Sequence, residues 1–247
     1  MIKFFRKIRQ NSLMENKTGK YFKYAVGEII LVVIGILIAL SINNWNEKRK
    51  LNDLRQNYYQ QLLVDLEMDK NYAESMISKM DSSMAKYNKY TETYKVHNLT
   101  LSKVYENIVK NEFRVSTLQF KTGTINTLIN TGDIKLIDPK LRNNLTIYNG
   151  TKERIVLISF TNNEYVMDFL QNASMEGFST NLLTNLQTQP DLMKELNIQN
   201  RFPEIFIKLE AYLSWKSDTE ERDIQGLKGL TKDLDITIEL IRRKLKK

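Results

Sequence analysis

The 247-residue chain contains no cysteine and a single histidine, His97. The first absence excludes disulfides, thiolate metal sites and thiol nucleophiles; the second excludes a paired-histidine metal site and the HExxH motif. A Ser-His-acid triad would depend wholly on His97, and no GxSxG elbow accompanies it. Three prolines and nine glycines are few for an all-β protein built on tight turns, and they suit long helices. Gly123 and Gly132 lack the spacing and the Lys-Ser/Thr ending of a phosphate-cradling loop. No repeat with a period of about 20–50 residues is visible. The sequence nominates no catalytic residue, no metal ligand and no cofactor.

Also missing is a basic face of the kind that nucleic-acid binding needs. The net charge is +8, but residues 1–23 hold Lys3, Arg6, Lys7, Arg9, Lys17, Lys20 and Lys23 against Glu15 alone, a net +6. Residues 46–247 hold 30 basic and 27 acidic side chains, close to balance and spread along the chain. A nucleic-acid binder concentrates its excess on a folded surface. Here the excess sits beside an apolar run, where it sets topology, and no nucleic-acid partner is expected.

That run, YAVGEIILVVIGILIALSI from Tyr24 to Ile42, is about 28 Å long at roughly 1.5 Å per residue, enough to cross a bilayer's hydrocarbon core. A cleaved signal peptide would need a shorter apolar region and a better cleavage site than Ala39-Leu40-Ser41. An uncleaved signal anchor over residues 24–45 is therefore expected. Tyr21 and Tyr24 at one end and Trp45 at the other are interface anchors. The seven basic residues of the arm outnumber Lys48, Arg49, Lys50 and Arg55 beyond the span. That bias sets a cytoplasmic N-terminus and places residues 46–247 outside.

Glu28 is the one acid within the span. Gly35 and Ala39 fall within about 20° of it around the helix, so a carboxylate and two small residues share a stripe. Two readings stand. The stripe packs against another transmembrane helix, in a partner or a second copy, with Glu28 meeting a polar group there. Alternatively Glu28, close to Tyr24, snorkels to the headgroups.

After the span, Asn43-Asn44-Trp45-Asn46 has no breaker, so the helix should continue. Leu51, Leu54, Tyr58, Leu62, Leu66, Ala73, Met76, Met80, Met84 and Tyr87 recur at three- and four-residue steps, the core stripe of one helix reaching to about Tyr94. His97–Thr100 breaks it, with Ser102 as cap of a short helix ending near Phe113. Thr117 or Thr122 should start the next, which stops at Gly132. Asp138-Pro139 opens a second long helix to about Asn172, although Arg154–Phe160 is β-branched enough to read as a strand. Residues 173–202, rich in Asn, Thr, Ser and Gln, read as a long loop with a short helix at Leu182–Leu186. Pro203 should open a helix to Trp215, and a last helix carries Leu227 to Leu245. The acids Asp65, Glu67 and Asp69 read as a solvated face.

Two blocks carry a resemblance. GEIILVVIGILIALSINNWNEKRK (Gly27–Lys50) resembles the opening of a family of uncharacterised single-pass inner-membrane proteins of Gram-negative bacteria. LINTGDIKLIDPKLRNNLTIYN (Leu128–Asn149) is similar to that family's second recurring element, with Ser41 standing where Gln is expected. The resemblance implies location and topology and brings no functional residues with it. The fold expected is all-α, with one N-terminal transmembrane helix continuing into a long-helix bundle: residues 1–23 a basic cytoplasmic arm, 24–45 the anchor, 46–247 a periplasmic domain. Its partners would be the bilayer and a protein, or a second copy, met through the span or the outer domain. A non-catalytic interaction or sensing role comes first. An accessory subunit of a proton-driven or transport complex using Glu28 comes second, and a membrane-anchored enzyme third.

Overall fold

A computed structural model describes residues 18–178 and 180–245. Every regular element among them is helical, as the apolar spacing requires. Seven α-helices occur among the described residues: α1 (Thr18–Glu92), α2 (Leu101–Ile108), α3 (Thr124–Thr131), α4 (Pro139–Met175), α5 (Thr180–Leu186), α6 (Pro190–Glu195) and α7 (Ile198–Leu245). The chain divides into two compact units, residues 1–57 and 58–247. Helix α1 runs through the boundary without interruption, because nothing between Trp45 and Tyr58 breaks a helix.

The first unit is a helix with its apolar side chains outward. Ile29, Leu31, Ile36 and Leu40 are each 57% or more exposed, with Leu31 at 69%. It is one N-terminal apolar segment with the length and composition of a membrane anchor or a signal sequence, none of it buried within the protein.

The second unit is built on three long helices. Helices α1 and α7 run antiparallel, tied by Lys70 to Asp235 at 2.6 Å and Arg242 to Glu67 at 2.7 Å. Helices α4 and α7 are also antiparallel, joined by Ser159 to Asp223 at 2.6 Å and Lys208 to Glu176 at 2.9 Å. Gly226 lets them approach closely, since a Cβ there would stand 3.3 Å from Ile155. Helices α1 and α4 are consequently parallel: the Tyr59 hydroxyl accepts from the Asp138 amide at the start of α4, and Asp69 meets Lys152 two turns or more further along both.

Parallel neighbours need a connection that returns the full length of the bundle. Residues 96–138 supply it. After α2, residues 112–123 form an extended strap lying along α1 and α4, with Ser116, Leu118, Phe120 and Thr122 turned inward and Thr117, Gln119 and Lys121 outward. An unpaired extended segment must satisfy its backbone by other means. Asn163 donates to the Ser116 carbonyl at 3.0 Å, Tyr72 accepts from the Gln119 amide at 2.8 Å, and Asp65 accepts from the Thr124 amide at 3.0 Å.

Several boundaries differ from the sequence expectation. Thr100, not Ser102, caps α2 through the Lys103 amide, and α2 stops at Ile108 rather than Phe113 because Phe113 turns inward on the strap. Helix α3 starts at Thr124, two residues beyond Thr122, where Asp65 on α1 accepts its first amide. Gly132 ends it at φ 76° as its freedom at positive φ predicts, and Asp138 caps the Lys140 and Leu141 amides of α4. The β-branched Arg154–Phe160 segment is helical, since Ile155 and Ser159 face the core one turn apart. Residues 173–202 are not a long loop. Phe178, Leu186 and Ile198 are buried, and that burial folds a polar segment into α5, α6 and the start of α7. Pro203 lies inside α7 rather than opening it, and α7 runs unbroken past Trp215 to Leu245.

Candidate functional site

The core is two hydrophobic clusters. One gathers Leu62, Leu66, Met80, Leu128, Leu145, Ile155, Leu227 and Leu234; the other gathers Tyr90, Ile108, Val166, Leu209, Tyr212 and Leu213. Between them each contributing element turns polar at the same level: Ser83 on α1, Ser116 on the strap, Ser159 and Asn163 on α4, and Lys216, Thr219, Glu220 and Asp223 on α7. All but Ser83 are buried. Buried polar groups must be paired, and most of these are. Lys216 donates to Glu220 at 2.8 Å and to Ser83, Ser159 donates to Asp223, and Asn163 to the strap carbonyl. The exception is the Tyr212 hydroxyl, which is buried without a partner. Burial first, then the nearby charges of Glu220 and Glu112, raises its pKa. Burial also pushes Asp223 up to about 6, against the lowering effect of Ser159, with Glu220 adding to the rise.

This layer opens to the surface between α1 and the start of the strap. There a groove of about 490 Å3 is lined by Ser75, Ser78, Lys79, Ser82, Ser83, Lys86 and Glu112. A smaller niche beside it shares Ser83, Lys86 and Glu112 and reaches Lys216 and Glu220. Lys86 and Glu112 form an ion pair. The hydrogen bond and charge of Lys86, with contributions from Lys216 and Lys79, hold the Glu112 carboxyl below its ordinary range.

A second polar centre lies inside the first cluster. Asp69, 2% exposed, accepts from Thr122 at 2.6 Å, from Lys152 at 3.2 Å and from the Tyr148 hydroxyl. The Lys152 ammonium also stands 5.6 Å from the Phe120 ring centroid and 5.2 Å from that of Tyr148. Burial, then the bond to Asp69, raises the Tyr148 pKa. This centre fastens strap, α1 and α4 together. It corrects the reading of Asp65, Glu67 and Asp69 as one solvated face. Glu67 is half-buried and turns to Arg242 on α7, whereas Asp65 and Asp69, four residues apart, share the face toward the strap. Four-residue spacing was the available signal, as it was for the Ser75, Ser78, Lys79, Ser82, Ser83 and Lys86 pattern that lines the groove.

The structure does not bring the residues nominated in the span into either centre. Glu28, Gly35 and Ala39 are exposed on α1, and a Cβ on Gly35 would meet nothing within 4 Å. Tyr24 and Trp45 are 62% and 63% exposed, and the Arg49 guanidinium lies 5.3 Å from the Trp45 ring centroid. Lys23 is exposed. Lys3, Arg6, Lys7, Arg9 and Lys17 lie outside the described residues, as do the side chains of Lys20 and Tyr21. No group of three or more acidic or histidine side chains among the described residues is placed to hold a metal ion.

No protein-family model, curated protein or solved structure matches this chain.

Proposed function

We propose that this chain is a single-pass inner-membrane protein that presents a helical bundle in the periplasm for protein contact or sensing. The reading is carried by one observation: residues 29–42 expose apolar side chains on every side of α1, whereas residues 58–245 have two buried hydrophobic clusters of their own. Such a surface is unstable in water and suits lipid. The seven basic residues of the arm support the orientation, and the resemblance of Gly27–Lys50 to single-pass proteins of Gram-negative bacteria supports the choice of membrane. A non-catalytic role is supported by buried polar side chains that tie helices and strap to one another. Pairing through the Glu28, Gly35 and Ala39 stripe is one route by which the span would meet a partner or a second copy.

The absence of native cysteine makes the test direct. Single substitutions Ser12→Cys in the arm and Ser174→Cys on exposed α4 are treated with a membrane-impermeant maleimide in cells with a permeabilised outer membrane. Labelling at position 174 before lysis, and at position 12 only after it, is expected. The reverse pattern, or a mature polypeptide lacking residues 1–45, overturns the proposal.

A further inference from the structure

We infer that the groove at the middle of the bundle binds a small oxyanion, a solute carrying phosphate or carboxylate oxygens, between Lys79 and Lys86. Its wall is one face of α1. Ser75, Ser78, Lys79, Ser82, Ser83 and Lys86 follow one another at steps of three, one, three, one and three residues, which keeps them on a single side of the helix. Serines there instead of larger side chains leave the groove open, and its lining has no apolar residue. Hydroxyls and ammonium groups are donors, so the wall is equipped to surround an acceptor.

Charge decides which acceptor. Lys79 forms no ion pair among the described residues, and Ser75, Ser78 and Ser82 likewise donate to no neighbour there. The one acid on the lining, Glu112, is already engaged by Lys86, and the positive charges of Lys86, Lys216 and Lys79 all act on it. The second acid nearby, Glu220, is held by Lys216. The opening is left with an uncompensated ammonium and a row of hydroxyls. Glu112, on a flexible stem at the start of the strap, is the protein's own carboxylate in that field, and it shows what kind of group the field accepts. Lys79 and Lys86 lie about 10 Å apart along the helix axis, near enough for their long stems to converge on one ion.

Binding would place the solute in competition with Glu112 for Lys86. The strap that begins there runs to Thr122, which Asp69 holds, and to Thr124, which Asp65 holds. Occupancy of the groove would therefore be felt along the strap. This deepens the sensing role proposed above, but the binding itself does not depend on topology, so either can fail alone.

The experiment is calorimetric titration of the full-length protein in detergent micelles at constant ionic strength. Inorganic phosphate and malonate are the probes, and chloride is the reference. Saturable heat with phosphate alone assigns the groove to phosphorylated solutes. With malonate alone it assigns the groove to carboxylates, and with both, to oxyanions of either kind. Lys79→Ala should weaken binding about tenfold, and Lys140→Ala on an exposed part of α4 should leave it unchanged. Glu112→Gln should tighten it about threefold by removing the competing carboxylate. Glu112→Gln is the sharpest arm, because a nonspecific attraction would gain equally from loss of any acid; Glu153→Gln must not reproduce it. No saturable heat with either probe, equal weakening by the two lysine variants, or weaker binding in Glu112→Gln overturns the inference.

Discussion

The two parts of helix α1 use the same apolar residue types in opposite ways. From Ile29 to Ile42 they surround the helix and are exposed; from Tyr59 to Tyr90 a stripe of them turns into the core, with Leu62, Ala73 and Met80 fully buried. An amphipathic stripe needs a protein partner, and α4, α7 and the strap provide it. A helix that is apolar all round needs a medium of its own polarity. The difference teaches that continuity of secondary structure says nothing about continuity of environment.

The comparison is sharpest where one change should be severe in one part and silent in the other. Asp69→Ala should have the largest effect. It strands the buried Lys152 ammonium and frees the strap at Thr122, and removal of one partner of a buried pair costs about 3–5 kcal/mol. Denaturant unfolding of the full chain in micelles, followed by circular dichroism, measures it. A cost below about 1 kcal/mol would show that the pair is solvated.

Next, Leu62→Ala and Leu37→Ala are chemically the same truncation. Leu62 is 0% exposed and Leu37 56%, so the first should cost about 2–5 kcal/mol and the second should leave unfolding of the bundle unchanged. Equal costs would break the distinction between the two parts.

The smallest expected effect is on pH dependence. Burial raises Asp223 from 3.8 to about 6, so the folded state takes up its proton before the unfolded chain does. Stability from this group is complete below about 3.8 and is lost as pH rises through about 6. Asp223→Asn should remove that slope from unfolding curves taken across this range, and should make the protein more stable than the parent at neutral pH. An unchanged slope would assign it to another group.

Helical class, the α1 stripe from Tyr58 onward, the Gly132 stop and the Asp138-Pro139 start were legible because each depends on local chemistry: periodicity, tolerance of positive φ, and a side chain capping free amides. Leu51 and Leu54, read as the start of that stripe, are exposed instead, because neither joins a core cluster. The strap was not legible. Residues 112–123 are extended because Tyr72, Asn163 and Asp65, distant in sequence, receive their backbone groups. Polar residues 173–202 became helical for a related reason, since Phe178, Leu186 and Ile198 found a cluster to enter. The groove was half legible. Its Ser and Lys spacing was visible on paper, but the acid that faces it comes from Glu112, 26 residues beyond Lys86.

By itself the sequence determined that this protein is helical, that one helix carries an apolar segment able to cross a membrane, and that thiol and paired-histidine chemistry are excluded. These follow from residue type and short-range spacing. Only the tertiary structure decided that α1 and α4 run parallel, that a strap returns between them, and that serines, lysines and acids from four elements meet in a polar layer between two hydrophobic clusters. Those features arise from contacts between residues far apart in the chain, and periodicity within one segment carries no information about which face of another it will meet.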